Sequence, residues 1–380
     1  MAVPFLSLPG LPARLAAFYF FFFAYTAAYV AYFPLYLAWR GLDASQIALV
    51  LALPQLARIF APAAWGWLAD RMGARAPIVM LSCASMAICF ASLPLVEARW
   101  IAPIIGIAGV VSAGALPLVE ATTLGMADGA ARYGPIRLWG SVGFIAVVLG
   151  GGAWLDVFPV ATLAAALVVF AVGSLLASMG LPRAPAALRA QAGKFRVSAA
   201  ARAVLGSGFC MAAAHAALYA FLTLHLQRLG YSTSAIGALW TLGVVAEIAV
   251  FYYLPALLRR FALSAILVMS CLCALVRFLA IGWAAETLIL LLAAQLLHAA
   301  TFGSFHAGSI AAIHRVFAEA HQGRGQALFS SMSYGAGGAV GALLAGAAWE
   351  WGGAEAAFTA AGLFGLLGAY FARSLRRTGL

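Results

Sequence analysis

Apolar runs of about 20 residues recur along the whole of this 380-residue chain, and a run of that length is what a helix needs to cross the hydrocarbon core of a bilayer. Backbone polar groups in lipid must find partners inside the protein, which leaves only helices and closed barrels as spanning structures. Barrel strands would alternate apolar and polar residues over about 10 positions. Nothing here alternates in that way, and the Ala- and Leu-rich runs favour helices. Windows of spanning length place about twelve helices, near 15–39, 45–69, 76–95, 99–126, 135–154, 158–180, 203–227, 233–257, 264–283, 287–314, 325–348 and 354–372. Charged residues make up only 9% of the chain, against about 25% in a soluble domain. The expected fold class is therefore all-α, a polytopic membrane protein.

The formal net charge of +11 raises the question of nucleic acid, and its distribution argues against that. Arg71, Arg75, Arg132, Arg183, Arg189, Lys194, Arg196, Arg202, Arg259, Arg260, Arg315, Arg324, Arg373, Arg376 and Arg377 fall on one set of alternating loops. The opposite loops carry Arg40, Arg99 and Arg228. Positive residues are retained on the cytoplasmic side, so both termini are expected there, in a multi-pass protein of the inner (cytoplasmic) membrane. The start, MAVPFLSLPGLPAR, has no basic residue ahead of its apolar stretch and does not read as a cleaved signal peptide. The five cysteines, Cys83, Cys89, Cys210, Cys271 and Cys273, lie inside expected spans with no CxxC pair. They read as buried small residues, with no metal site and no cofactor implied.

Leu181–Arg202 is the longest polar stretch, and it falls near the midpoint. The expected organisation is residues 1–180 as one six-helix bundle, 181–202 as a cytoplasmic linker and 203–380 as a second bundle. The halves also resemble each other at a constant offset of 189 residues. Gly41 pairs with Gly230, Ser45 with Ser234, Ile47 with Ile236, Gly134 with Gly323 and Ser141 with Ser330, and AAYVAY (27–32) pairs with AALYAF (216–221). Arg58 and Glu247 coincide, each one charge deep in a span. Parallel repeats of six spans are a known transporter architecture.

The loop after the second span reads Gly66-Trp-Leu-Ala-Asp70-Arg71-Met-Gly73-Ala-Arg75, and it resembles the signature loop of the major facilitator superfamily. That resemblance implies a gating role at the cytoplasmic side for Gly66, Asp70, Arg71, Gly73 and Arg75. The copy in the second half departs from the pattern, with Pro255 for the glycine and Arg259 for the aspartate. Further segments, AYFP (31–34), LVEA (118–121), YGPIRLWGSVGF (133–144), GVVAE (243–247), LVRF (275–278) and QLLHAATF (295–302), resemble the phenylpropionate permease group, which is similar to lactose permease, the oligosaccharide–proton symporter. The resemblance implies substrate contacts at Glu120 and Arg137. It implies a ring stacking on substrate at Phe144, where the permease has Trp, and proton coupling at Glu247, Arg277 and His298. Thr301 stands where the permease carries its proton-site carboxylate, so the proton carrier is expected to be another residue.

A charge at mid-bilayer costs about 3 kcal/mol on insertion scales, so it is kept where it lines a cavity or has a partner. Arg58 and Glu247 each lie twelve residues before an arginine-side loop position, roughly 18 Å deep at 1.5 Å per residue. Arg58, Arg137 and Arg277 are candidates to hold an anionic group, because guanidinium pairs bidentately with carboxylate. Glu120 and Glu247 are candidates to take up the proton. The alternative is fixed structural pairs such as Arg58–Glu120 or Glu247–Arg277. His215, one turn before Tyr219, Trp240, one heptad before Glu247, and Tyr29, in the stripe Tyr25, Tyr29, Tyr32 and Tyr36, are further candidates for a cavity wall. His298 opens a face that continues through Phe302 and Phe305. His306 reads as packing, and His225, His314 and His321 lie near loops. The Gly-rich runs 150–152 and 335–341 have no phosphate-loop pattern and read as close-packing surfaces.

Together these features point to a secondary active transporter and not an enzyme. The expected activity is proton-coupled symport of a small aromatic carboxylate such as 3-phenylpropionate, by a monomer whose partners are substrate, protons and lipid. A sugar–proton symporter and an uncoupled facilitator or exporter are the alternatives within that class. A membrane-embedded enzyme would need a catalytic set such as HExxH or GxSxG, and neither occurs. A sensor on the same fold would carry an added soluble domain.

Overall fold

The computed structural model of the protein describes residues 10–126, 129–182 and 196–378, and no strand occurs among them. Ten segments are long and apolar enough to cross a membrane. In order they begin with α1 (Leu11–Trp39), α2 (Ala44–Met72), α3 (Ala76–Leu95), α4 (Ala98–Leu124) and α5 (Ala131–Val157). After a shorter apolar helix, α6 (Thr162–Ser178), come α7 (Ala199–Arg228), α8 (Thr233–Arg260), α9 (Leu263–Ala284) and α10 (Leu288–Val316). The last segment, Gln322–Arg376, runs for 55 residues. Gly352 and Gly353 are non-helical within it, with Gly353 at φ +66°, and they divide it into α11 (322–351) and α12 (354–373). Each of the twelve expected spans thus has a helix. The central part of the expected linker, with Arg183, Arg189 and Lys194, lies outside the described residues, as does the start of the chain before Gly10.

The 189-residue repeat is legible in backbone detail. Gly41 and Gly230 both close a turn in the left-handed region, at φ +84° and +85°, which costs glycine nothing and other residues strain. Two positions later an N-cap starts the next helix in each half. Asp43 accepts from the Gln46 N–H at 2.8 Å while its own N–H donates to Gln46 Oε1 at 3.1 Å. Ser232 accepts from the Ala235 N–H at 3.1 Å. Such caps satisfy donors that a helix start leaves orphaned, for about 1 kcal/mol each.

The repeat departs at α2. α2 is interrupted by a turn at residues 58–60, whereas α8 runs on unbroken. Pro62 explains the difference, since a proline inside a helix clashes with the carbonyl four residues back, here that of Arg58. Phe251 occupies the equivalent position in α8.

The chain forms two compact units, Met1–Arg40 with Phe60–Arg189, and Gly41–Ile59 with Ala190–Leu380. The change of unit falls at the break in α2. The core of the first unit gathers Phe18, Tyr19 and Phe22 of α1, Val79 and Cys83 of α3, Leu118 and Val119 of α4 and Ile136 of α5. Here α5 crosses α1 so closely that a Cβ on Gly143 would collide with the Phe20 backbone. In the second unit Gly337 of α11 meets the Phe209 backbone of α7 in the same way, and Phe20 and Phe209 are again 189 apart. Small residues at helix crossings are the usual device for close packing in lipid. Arg40 is spent within the first unit, donating to the Leu93 and Val96 carbonyls at the end of α3 and to the Tyr36 hydroxyl.

Candidate functional site

Several polar residues of the second unit, from α7, α8, α9 and α10, form one cluster. Arg277 of α9 is its centre, a guanidinium only 1% exposed. Its Nε donates to the Ala294 carbonyl at 3.1 Å, its Nη1 to Thr301 Oγ1 at 3.1 Å and to His215 Nε2 at 3.3 Å, and its Nη2 to Gln295 Oε1 at 3.4 Å. The bonds made by Arg277 all go to neutral acceptors. They fix the state of His215 as well. Arginine has no acceptor, so His215 Nε2 must accept, and its Nδ1–H then donates to the Met211 carbonyl at 2.9 Å. Thr301 Oγ1 completes the triangle at 3.3 Å from His215 Nε2. Thr301 is a hydroxyl bridge between arginine and histidine.

Glu247 of α8 faces a different partner. Its Oε2 lies 3.5 Å from His298 Nε2 on α10. Two glycines allow the approach. A Cβ on Gly243 would come within 3.3 Å of the His298 Cβ, and one on Gly303 within 3.1 Å of the Glu247 Cγ. His298 stacks on Phe302 at 5.3 Å, and its centroid is 6.1 Å from that of His215. Trp240 is buried, donates to Thr223 Oγ1 at 3.3 Å and lies parallel to Tyr219 at 6.3 Å.

Two stretches around this cluster are π-helical, Ala299–Ser304 in α10 and Ser331–Gly337 in α11. Single π turns inside α-helices occur often at functional sites. Their wider turn alters the expected face of α10. Phe302 stacks on His306 at 6.4 Å and 14°, not on Phe305. His306 Nδ1 then meets the Tyr334 hydroxyl of α11 at 2.8 Å.

Arg58 sits at the break in α2, exposed; its backbone N–H is bonded to the Pro54 and Gln55 carbonyls, and its side chain makes no hydrogen bond or ion pair among the described residues. Its charge acts on Tyr219 and Tyr334.

The first unit holds a second, looser cluster. Tyr133 donates to Glu120 Oε1 at 3.3 Å. The Arg137 guanidinium lies 3.8 Å over the Phe23 ring and 5.6 Å from that of Tyr19, and it is within electrostatic reach of Glu120. Tyr19 shares a hydrogen bond with Thr123 at 3.3 Å. Phe144 is half-buried two turns beyond Arg137. Tyr29 belongs to an aromatic ladder, stacked on Phe33 at 4.8 Å and edge-on to Phe90 of α3. Tyr32 leaves the expected stripe to donate to the Val148 carbonyl of α5.

In the loop after α2, Gly73 adopts φ +63° and ends the helix. Its N–H bonds the Asp70 carbonyl at 3.2 Å and the Ala74 N–H bonds that of Ala69 at 3.2 Å, a Schellman motif that requires the left-handed residue. Arg75 donates to the Ala121 carbonyl in the last turn of α4 at 3.2 Å, and Arg71 lies over Trp67 at 5.4 Å. Gly66 faces open space, so packing does not demand a glycine there.

Sequence reasoning thus picked Arg277, His298, Glu247 and His215, which the fold brings together. It left out Gln295, Thr223, His306 and Tyr334. The spacing 298, 302, 306 could have flagged His306; the π turn that puts it on the face has no sequence signature.

The profile of the MFS_1 like family matches residues 13–360. A protein of Escherichia coli (strain K12), named as a probable 3-phenylpropionic acid transporter, is 30% identical over 230 residues. That match covers 58% of this chain and 59% of the relative. Among solved structures, nucleoside transporter NupG superposes with a TM-score of 0.82 at 17% identity, over 97% of this chain and 99% of that one. A bacterial homolog of the human lysosomal transporter Spinster, inward-facing and occupied, gives 0.74 at 14% identity over 98% of both chains. These structural likenesses speak to the fold. Twelve apolar helices on that fold, with a family match along most of the chain, make this protein a member of the MFS_1 like family, a multi-pass transporter of the major facilitator type and not an enzyme.

Proposed function

We propose that the chain is a proton-coupled symporter of a small aromatic carboxylate, working by alternating access. The observation that carries this reading is the Glu247–His298 pair, 3.5 Å apart on facing helices. A carboxyl and an imidazole at that distance can hold one proton between them and release it when the local charge changes. Arg58, exposed at a helix break and unpaired, is the proposed receptor for the substrate carboxylate. Arg277, bonded on several sides, holds Thr301 and His215 in place and senses charge at Glu247 and His298. Trp240 and Tyr219 would flank the aromatic ring. The name of the E. coli relative supports the substrate class.

Sugar symport is the second reading. Glu120 and Arg137, with the Arg137 cation over Phe23, are the pair that would hold a hydroxylated ligand. An uncoupled facilitator or exporter keeps the same site but uses no proton; Thr301 in place of a carboxylate favours it. The remaining elements of the proposal are a cytoplasmic-membrane location with both termini inside, a monomer, halves at 1–180 and 203–380, and gating by the Asp70–Arg75 loop.

The test is uptake of labelled 3-phenylpropionate into proteoliposomes, with and without an imposed inward proton gradient, beside lactose and protein-free vesicles. Gradient-driven accumulation of the aromatic acid, absent for lactose, is the expected result. Protein-dependent uptake indifferent to the gradient would sink the coupling, and uptake of lactose alone would replace the substrate.

A further inference from the structure

We infer that His306 and Tyr334 form a proton-transfer step on the arginine-rich side of the Glu247–His298 pair. The inference deepens the proton-coupled reading and rests on it.

The surroundings of the described histidines single out His306. His215 is locked. Arg277 and Thr301 occupy its Nε2, and its Nδ1 serves the Met211 carbonyl. A proton on Nε2 would evict the guanidinium. His225 is held at Nε2 by the Ile281 carbonyl, far from the cluster along α7. His314 and His321 lie at the loop end of α10 and beyond it. His306 is the one whose bonded partner suits both of its states. With Nδ1 unprotonated, the Tyr334 O–H donates to it; with Nδ1 protonated, the same oxygen accepts at the same 2.8 Å. A hydroxyl that can reverse its role lets the ring gain and lose a proton without rearranging its neighbours.

His306 is also connected. His298, Phe302 and His306 stack in sequence down one face of α10. His306 follows His298 by eight positions, across the π-helical stretch Ala299–Ser304. Glu247 acts on His306 across the gap from α8. The other titratable or charged groups facing the pair are Arg58 of α2 and Tyr219 of α7, which act on Tyr334 together with Glu247.

The step balances without any further reactant. His306 gains a proton at Nδ1 from the Tyr334 hydroxyl, and that hydroxyl takes up the proton released by the Glu247 carboxyl, leaving a carboxylate and an imidazolium. The imidazolium then passes one proton to water on the arginine-rich side. Glu247, once more a carboxylate, waits for the next proton.

The experiment compares wild type, His306→Gln and Tyr334→Phe in proteoliposomes with 3-phenylpropionate as probe. It reads accumulation under an imposed proton gradient and counterflow with probe on both sides, which needs no net proton release. His306→Gln is expected to lose accumulation at least tenfold and to keep counterflow within about twofold, with Tyr334→Phe between it and wild type. Accumulation by His306→Gln equal to wild type overturns the inference. Equal loss of counterflow and accumulation in both variants also overturns it, since the pair is then only structural. A wild type that exchanges the probe but never accumulates it sinks the coupled reading itself. An arm that needs no substrate follows the 15N signals of histidine-labelled protein. The His306 signal is expected to move as the pH is scanned from about 4 to 8 and to shift its midpoint in Glu247→Gln. A His306 signal fixed across that range overturns the inference whatever the probe does.

Discussion

The two halves of this transporter share a backbone and divide the chemistry. In the second, α7 and α10 bring polar groups to Arg277 of α9, which is buried and hydrogen-bonded on several sides, near a carboxylate–imidazole pair. In the first, Glu120 and Arg137 rest against aromatic rings and a tyrosine hydroxyl, half-buried and loosely tied. The difference teaches that the repeat preserves turns, caps and helix crossings, which any spanning bundle needs, while the charges drift. A buried cation held by neutral acceptors is costly unless every bond is made, so the second cluster tolerates little change. The first, closer to solvent, has slack.

The largest expected effect separates the clusters outright. Glu247→Gln should abolish gradient-driven accumulation, down to the level reached without a gradient, and leave counterflow. Glu120→Gln should keep accumulation and change only the half-saturating concentration. If Glu120→Gln uncouples and Glu247→Gln does not, the division is reversed.

Next in size is Arg58→Gln. A hydrogen bond to a charged group is worth about 1.5–3 kcal/mol, so losing the proposed carboxylate receptor should raise half-saturation roughly 10- to 150-fold. Arg137→Gln removes a partly exposed cation–π contact of about 0.5–1 kcal/mol and should cost no more than about fivefold. Initial rates over a concentration series check both. An Arg137 effect larger than that of Arg58 would move substrate recognition into the first unit and favour the sugar reading.

A smaller effect is expected from Thr301→Val. It takes one acceptor from Arg277 and one neighbour from His215 while preserving shape, a loss of about 1–3 kcal/mol for a buried partner left unsatisfied. Thermal unfolding in detergent should show it as lowered stability, with Ser141→Ala in the first unit as the comparison that changes little. A Thr301→Val protein as stable as wild type would mean that the triangle with Arg277 and His215 is not holding the cluster together.

How much of this was readable beforehand follows from what kind of signal each feature leaves. The twelve spans are legible because lipid demands about 20 apolar residues apiece, and the repeat because Gly41 and Gly230 answer one backbone requirement. Arg277, Glu247 and His298 are legible because charge in an apolar run is rare. What was not legible depends on neighbours in space. Nothing in the residues at 299–304 announces a π turn, so from sequence the face of α10 continues to Phe305 and His306 reads as packing. The break at Arg58 does leave a trace in the sequence, in Pro62 four residues on. Glu247 was weighed against Arg277 as a fixed pair, whereas His298 is the partner at 3.5 Å; one-dimensional spacing cannot say which of two nearby helices supplies the counter-group.

The smallest prediction tests the other side of the comparison, the sameness of the two backbones. Asp43 and Ser232 occupy matching places after matching left-handed glycines, and each caps its helix through a single side-chain acceptor at 2.8 and 3.1 Å. Replacing either by Ala should cost about 1 kcal/mol, a lowering of the unfolding midpoint by about 2 °C in a chain of this size. Asp43→Ala should lose slightly more, because its capping box also satisfies its own N–H through Gln46 and because a carboxylate is favoured at a helix N-terminus. Neither should alter coupling. Equal small losses would mean that the repeat is kept for its geometry, with function added unequally on top. A loss confined to one half would mean that the halves differ in stability as well as in chemistry, and that the 189-residue correspondence is a relic of sequence with no shared structural load.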